Sequence, residues 1–334
     1  MASVTQSKPP GGRSHFSAAS RREAITGYLF IAPYLITAAI FTFGLLAYAF
    51  SISFTDLSAS YSLREPRFVG LDNYLRAFRD SDFLNSLANV FWYAVIVTSI
   101  QTCLAILLAV LLNARLRGLR FFRTALYAPS VASSVVLSLI FLWLFLPTGF
   151  INALFGLDIN WLAEPTRLGD LIYRRLGIED PSSIPLLLRG PSVAWTAIMI
   201  MNIFSTVPTF MVMFLAALQD IPGHLYEAAE LDGATGPRAF WHITLPLLRP
   251  ALALVVVLGT IGTFQVFDQV SILTQGGPLK TTQVPAYYIY QKTLGTATRA
   301  EAGYAAAMAF ILAAIIILFT IIQRRYIEPA GEQR

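Results

Sequence analysis

Two groups of residues in this chain carry chemistry, and neither has the make-up of a catalytic centre. In one apolar stretch Asn202, Ser205, Thr206 and Thr209 recur at i, i+3, i+4 and i+7, which places them on one face of a helix. Amides and hydroxyls both donate and accept hydrogen bonds, so a neutral stripe of this kind suits a polyhydroxylated solute such as a sugar. In a second apolar stretch Gly259, Gly262, Thr263 and Val266 share a face, with Phe267 close by and Gln265 and Gln269 to one side. Phe264, Phe267 and Trp143 offer rings for the apolar face of such a solute. Small and hydroxyl residues also hold membrane helices together, so the stripe reads either as a solute contact or as packing. The second group is acidic: Asp220, Glu227, Glu230 and Asp232 crowd into one short segment.

The elements that must position these residues follow from composition. The chain has 334 residues, 56% hydrophobic and 13% charged, against about 25% charged in an ordinary soluble protein. A water-facing surface of this size would lack charges, which argues against a soluble enzyme or a disordered chain. Six charge-poor runs are long enough for the roughly 20 apolar residues a membrane helix needs. They lie near Ile25–Phe54, Phe83–Asn113, Thr124–Leu146, Pro191–Leu218, Pro250–Ser271 and Ala302–Gln323. Backbone polar groups must be satisfied internally in lipid, and no period-2 alternation suggests a barrel. The expected fold is therefore all-α, with six transmembrane helices. Pro208 should kink the fourth.

Arg21 and Arg22 precede the first run, but that run is far longer than the roughly 7–15 residues of a signal-peptide core, so it reads as a retained span. Residues 1–24 read as a disordered cytoplasmic tail, 25–325 as the membrane domain and 326–334 as a second tail. Orientation comes from the short loops. Arg115, Arg117, Arg120 and Arg123 sit between the second and third runs without an acid; Lys8, Arg13, Arg21 and Arg22 precede the first run, and Arg324 and Arg325 follow the sixth. These segments are expected in the cytoplasm, with both termini. On the other side Leu71, Tyr74, Leu75 and Phe78 share the face of a short helix that Asp72 can cap. That helix either lies in the membrane interface or packs on the spans. The loop over 147–190, with Pro165, Pro181, Pro185 and Pro191, is a partner contact or an ornament. Asp268, near the end of the fifth run, reaches the interface, pairs with a partner arginine or touches solute.

The loop over 219–249 is cytoplasmic by this topology. Pro222 suits the first turn of a helix and Gly233 its C′ position. The seven residues Leu225-Tyr226-Glu227-Ala228-Ala229-Glu230-Leu231 between them are good helix formers. A helix this short needs a surface to dock on, either its own loops or a groove in a partner. Glu227-Ala228-Ala229, then Gly233, then Ile243, Leu245 and Pro246 resemble the EAA signature of ABC-importer permeases at each defined position. Phe68-Val69-Gly70-Leu71-Asp72-Asn73-Tyr74, Arg120-Phe121-Phe122-Arg123-Thr124 with Pro129, and Leu273-Thr274-Gln275-Gly276-Gly277-Pro278 narrow the likeness to sugar permeases of the maltose-transporter, MalF-like type. Gly303-Tyr304-Ala305-Ala306-Ala307-Met308 resembles the start of that group's last span.

The resemblance covers about residues 25–325. It implies the transmembrane-domain fold of type I importers, a coupling helix around Glu227 seated in a cleft of an ATP-binding subunit, and the glutamate facing basic residues there. It implies a second, MalG-like permease, an ATPase dimer holding ATP and magnesium, an extracytoplasmic solute-binding protein and a bacterial or archaeal inner membrane. In maltose-type permeases two spans hold the sugar at mid-membrane, and the matching positions here are Asn202, Ser205, Thr206, Thr209, Gly259 and Thr263. The chain departs from the enteric maltose protein in lacking its large extracytoplasmic insert and extra N-terminal spans.

Other chemistries lack their signatures. The nearest approach to a phosphate loop, Gly276-Gly277-Pro278-Leu279-Lys280-Thr281, has no glycine before the lysine and contains a proline. His15, His224 and His242 have no ligand spacing, GxSxG is absent, and one cysteine, Cys103, excludes an internal disulfide. No basic cluster marks nucleic-acid binding. The expected function is a transport subunit that binds no cofactor, for a di- or oligosaccharide or polyol. A glycerol phosphate derivative is the alternative solute, and an ion-coupled secondary transporter the rival mechanism.

Overall fold

A computed structural model describes residues 18–58, 66–113, 118–177, 184–234, 236–294 and 300–327. Lys8, Arg13, His15, Arg115, Arg117 and Pro181 lie outside them, as do most of the first tail and nearly all of the second. Among the described residues there is no β-strand, only two isolated bridges, Thr55 with Phe68 and Arg167 with Ser192. The chain divides into Met1–Ser51 and Ile52–Arg334. The first unit holds α1 (Ala18–Ala38), which runs through a π-turn (Ala39–Gly44) into α2 (Leu45–Ile52).

In the second unit α3 (Asp72–Ala77) leads into the long α4 (Ser81–Asn113), followed by α5 (Leu119–Val131) and α6 (Ser134–Leu144). Two short helices, α7 (Phe150–Phe155) and α8 (Leu168–Arg175), precede α9 (Val193–Gln219). Next come α10 (Gly223–Leu231) and two single turns, α11 (Pro237–Ala239) and α12 (Leu245–Leu247), on either side of a π-turn. The remaining helices are α13 (Arg249–Phe264), α14 (Asp268–Leu273), α15 (Pro285–Leu294) and α16 (Ala302–Ile327). Five described helices are long and apolar enough to cross a bilayer, six if the bent pair α5–α6 is one span.

The core is the seam between α4 and α9. At one end Val90, Tyr93 and Val97 meet Trp195, Ile198 and Met201; further along, Ala105, Ala109 and Leu112 meet Met211, Phe214 and Leu215. The Trp195 ring stacks on Tyr93 at 4.6 Å, and its Nε1 donates to the Asn89 carbonyl at 3.1 Å. Lipid is as apolar as these side chains, so close packing and such hydrogen bonds hold the seam.

Three sequence expectations are corrected. The third span is not one straight helix: α5 and α6 meet at 97° across Ala132 and Ser133. Pro129 leaves a carbonyl without its helical donor, and Ala132 and Ser133 are extended. The fifth span stands as expected, over Arg249–Leu273, with its helix interrupted at residues 265–267; Asp268 starts the short α14, where its charge faces the positive end of the helix dipole. Asp72 is the first residue of α3, not its cap; Leu71 holds that position without a side-chain bond. Leu71, Leu75 and Phe78 are exposed as an interfacial face requires, but the Tyr74 hydroxyl turns inward to Ser53 Oγ at 2.7 Å. Pro222 is the N-cap of α10 rather than part of its first turn.

The end of the bundle where α4 begins is tied together by Asp80. Its Oδ1 accepts from the Asp82 and Phe83 amides at 2.9 and 3.3 Å, capping α4. Its Oδ2 accepts from the Tyr288 and Tyr304 hydroxyls at 2.8 and 2.7 Å, pinning α15 and α16. Burial disfavours the charge, but these hydrogen bonds outweigh it and hold the carboxyl below its ordinary 3.8. The loop over 147–190 is anchored at the same end. Arg167, 4% exposed, donates to the Gly190 carbonyl and to Asn89 Oδ1, while Asn89 Nδ2 donates to the Lys280 and Gln283 carbonyls. Gly303 lets α16 meet the chain beyond α2: a Cβ there would lie 2.1 Å from the Thr55 carbonyl oxygen.

Two measurements check this end. Asp80→Asn should lower the melting temperature at neutral pH, because a depressed carboxyl stabilises the fold above its unfolded pKa. That difference should shrink as pH falls below 3.8 and through the depressed value; a constant difference from pH 7 to pH 3 refutes the assignment. Gly303→Ala should destabilise by about 1–3 kcal/mol, the usual cost of overpacking, and an unchanged melting curve would show that the close approach is dispensable.

Candidate functional site

Asn202, Ser205, Thr206 and Thr209 all lie on α9, but they have different neighbours. Asn202 is buried, Ser205 and Thr206 half-buried, and Thr209 exposed. The hydroxyls of Ser205 and Thr206 both donate to the Asn202 carbonyl, at 2.9 and 2.8 Å. The same Thr206 hydroxyl stands 2.7 Å from Gln101 Oε1 on α4, so its one proton is shared between the two acceptors. Gln101 is 1% exposed, an amide at bilayer depth whose partners must come from protein.

Gly259 explains how Gln101 fits. A Cβ on Gly259 would lie 2.6 Å from Gln101 Nε2 and 3.7 Å from the Phe210 ring. The missing side chain is the space the amide occupies. Thus α4, α9 and α13 meet at Gln101, Thr206 and Gly259. Next to this knot Gly262 on α13 and Thr209 on α9 are exposed, with Ser205 half-exposed. Thr263 is buried, and its hydroxyl donates to the Thr260 carbonyl at 2.9 Å. Asn202 Oδ1 and the Tyr93 hydroxyl are buried without a well-formed hydrogen bond, and the two groups are neighbours. The stripe therefore offers neutral polar groups on a chain surface, with Asn202 and Tyr93 facing each other beneath it and no ionised side chain among them.

The aromatic residues are distributed differently. Phe264 is buried against Phe319 at 5.3 Å, Trp143 is 77% exposed, and Phe267 packs with Tyr287 and Tyr290 at 6.2 and 5.2 Å. None is placed on the Ser205–Thr209 surface by these contacts. Gln265 is exposed at the break between α13 and α14.

At the opposite end α10 closes with a Schellman cap. The Ala234 amide donates to the Ala229 carbonyl at 2.8 Å, the Gly233 amide to Glu230 at 3.0 Å, and Gly233 has φ +74°. This left-handed position is where glycine costs least. Ala229 is buried and the Tyr226 hydroxyl meets Thr244 Oγ1 at 2.9 Å, so one face of the helix rests on its own chain. Glu227, Ala228, Leu231 and Gly233 face outward, Leu231 being 91% exposed. Ile243, Leu245 and Pro246 are half-buried in the turns leading to α13. Among the described residues Asp220, Glu227, Glu230 and Asp232 make no ion pair.

Gln101 is the residue that sequence reasoning passed over. A single amide in an apolar run has no periodicity, but the rule that intramembrane polar residues are candidate sites applies to it as much as to Asn202.

Comparison with known proteins gives a consistent picture. A family model described as a binding-protein-dependent transport system inner membrane component matches residues 101–330. The sn-glycerol-3-phosphate transport system permease protein UgpA of Agrobacterium fabrum is 32% identical over 311 residues, 91% of this chain and 95% of that one. The trehalose/maltose transport system permease protein MalF of Thermococcus litoralis is 31% identical over 303 residues, 90% of this chain and 93% of that one. The fold is similar to a crystal structure of a bacterial ABC transporter involved in importing the acidic polysaccharide alginate. The TM-score is 0.74 at 19% identity, covering 93% of this chain and 98% of the other.

The knot is testable in transport assays. Gly259→Ala should displace the Gln101 amide and lower uptake at least tenfold with little loss of assembled protein, since the end of a flexible side chain can move. Gln101→Leu should do the same; unchanged uptake in both variants would remove this crossing from the solute path.

Proposed function

Because the chain belongs to the family of binding-protein-dependent transport system inner membrane components, we propose that it is one of two permease subunits of an ATP-driven sugar importer in a bacterial or archaeal inner membrane. It forms half of the solute path. A second permease supplies the other half, two ATP-binding subunits hydrolyse ATP with magnesium, and an extracytoplasmic binding protein delivers the solute to the Asp80 end. Surrounding lipid solvates the spans. ATP hydrolysis belongs to the partner, and this chain does no chemistry on the solute.

The observation that carries the reading is α10. A short capped helix with one face seated on its own bundle and Glu227, Ala228 and Gly233 turned outward has the form of a helix that docks into a partner. Its unpaired carboxylates suit a basic cleft. Closure of the ATPase dimer moves this helix, and the half-buried turns at Ile243, Leu245 and Pro246 pass the movement to α13, which carries Gly259. The assembly then exchanges inward- and outward-facing states because ATP and the loaded binding protein bind one state better than the other.

The stripe supports a neutral sugar. The likeness to a glycerol-phosphate permease raises a phosphorylated solute as the second reading. A phosphate held at bilayer depth wants a cation, and Asn202, Ser205, Thr206, Thr209, Gly259 and Thr263 supply none.

Copurification with an ATPase provides the test. Glu227→Lys should weaken that association, and Gly233→Val, a β-branched residue forced to positive φ, should cut binding-protein-stimulated ATP hydrolysis and uptake at least tenfold. If both variants keep stimulated hydrolysis, α10 is not the coupling element. If stimulation answers to glycerol phosphates but to no neutral oligosaccharide, the sugar reading is wrong while the coupling assignment stands.

A further inference from the structure

A pocket that neither the stripe nor α10 uses lies at the Asp80 end, beside the loop that joins α14 to α15. It has a volume of about 490 Å³, inside the roughly 300–1,000 Å³ typical of small-molecule sites. The buried part of its lining is Gly276, Gln283 and Tyr288, and Gln275, Leu279 and Lys280 form an exposed rim. Asp82 of α4 and Gln291 and Lys292 of α15 line it as well.

One buried amide is open to this space. The hydroxyls of the same loop are satisfied within it: Thr281 Oγ1 donates to the Pro278 carbonyl at 2.8 Å, Thr282 Oγ1 to the Gly277 carbonyl at 2.5 Å, and Thr274 Oγ1 lies 2.7 Å from Thr282 Oγ1. Gln283 is different. It is 4% exposed, yet among the described residues its side-chain amide has no hydrogen-bond partner, and neither amide atom is sealed from water. A side chain this buried that keeps both polar atoms accessible presents them to the pocket it lines. The loop around it is held in place. The Lys280 carbonyl accepts from Asn85 Nδ2 and Asn89 Nδ2 at 3.0 and 3.1 Å. Gln275, Leu279 and Lys280 have φ of +52°, +48° and +60°, values that few residues other than glycine adopt and that persist only where the surroundings fix them. A site fixed before its ligand arrives loses less ordering entropy on binding.

The charges of the lining define the ligand. Asp82 pairs with Lys280 at 2.7 Å, and Lys292 lies 3.8 Å from Glu301. A charged ligand would compete with a partner already in place, whereas a neutral one leaves both pairs intact. The glutamines Gln275, Gln283 and Gln291 carry amides that donate and accept alike, which matches the adjacent hydroxyls of a sugar ring. We propose that this pocket is a binding site for a neutral saccharide, separate from the α9 stripe, with the Gln283 amide as its buried anchor and Tyr288 and Leu279 as its apolar surface. The site stands on its own geometry. Its place at the Asp80 end makes it the first stop of an incoming solute, and that last step alone rests on the importer reading.

Leu279, 84% exposed on the rim, is the place for a reporter. Leu279→Cys is combined with Cys103→Ser in the full-length chain, which is purified in a zwitterionic detergent because a maltoside would occupy a saccharide site. The rate at which a neutral maleimide labels position 279 is then measured with maltose, trehalose, lactose or cellobiose at millimolar concentration. At least one of them should slow labelling several-fold, and no slowing by any overturns the proposal. Glycerol 3-phosphate should leave the rate unchanged; slowing by it overturns the neutral class. Adding Gln283→Leu removes an amide that has no partner in the chain to lose, so it should abolish the protection while leaving the melting temperature equal or higher. Protection that survives this change overturns the site. If that variant fails to fold, Gln283→Asn, which draws the amide back by one methylene, decides: protection weaker than with Gln283 supports the site, and equal protection overturns it. Cys103 of the parent chain lies outside the pocket, and its labelling should not respond; equal slowing there places the effect elsewhere and overturns the proposal. None of these readouts involves an ATPase, so the site can fail while the importer reading stands, and the reverse.

Discussion

A primary amide at bilayer depth has two donors and an acceptor to satisfy and no water with which to do it. Gln101 is in that position, 1% exposed in the middle of α4. Its oxygen is met by Thr206 from α9, and its nitrogen occupies the volume where Gly259 on α13 has no side chain. Three of the helices that make the core are therefore registered against one another at a single polar contact. Sliding any of them by one residue would place an apolar side chain against the amide or a Cβ inside it. Apolar packing along α4 and α9 supplies more contact area, but Leu, Val and Ala surfaces tolerate small slips that a buried amide does not.

The two ends of the bundle are built on opposite electrostatic plans. At the Asp80 end the charges are consumed internally: Asp80 by two tyrosines and two amides, Asp170 by Arg189 at 2.7 Å, Asp82 by Lys280 at 2.7 Å, and Glu301 by Arg76 at 2.9 Å. The exposed pairs among these contribute little individually. Their effect is to fix which loop lies over which helix end. At the Glu227 end the carboxylates are left uncommitted. The Asp80 end, which must hold α4, α15 and α16 in place, uses its charges at home.

Much of this was legible in the sequence because the bilayer imposes a length scale. Charge-poor runs of about 20 residues identify spans without reference to packing, and the Schellman glycine and the Glu227–Pro246 spacing are local patterns. What escaped depends on partners far along the chain. Asp80 reads as an ordinary loop acid next to a helix start, yet its tyrosines stand 208 and 224 residues away. Gly259 reads as a small residue for helix contact, and only Gln101, more than 150 residues earlier, shows what the space is for. Pro129 removes one helical hydrogen bond, but the 97° turn needs Ala132 and Ser133 to be extended as well. The residues around the stripe were placed on the correct face by periodicity; which of them reach the surface depends on neighbouring helices that periodicity does not contain.

The break between α13 and α14 gives the arrangement a mechanical direction. The fifth span is joined to the Glu227 end through the turns at Ile243–Pro246 and carries Gly259 and Gly262 at mid-length. It loses helical continuity at Gln265–Phe267 before reaching the Asp80 end. Movement of α10 therefore has a short covalent path to the polar crossing, while the interruption beyond Phe264 leaves α14 free of that path and packed on α6. A rigid outer end, a discontinuity and a crossing held by one amide together favour discrete alternative packings over gradual bending, since close-packed interfaces switch between arrangements rather than deform continuously. The hydroxyls of Ser205 and Thr209 sit beside the crossing on the same helix as Thr206, so a repacking that moves α13 against Gln101 alters the polar surface next to them in the same step.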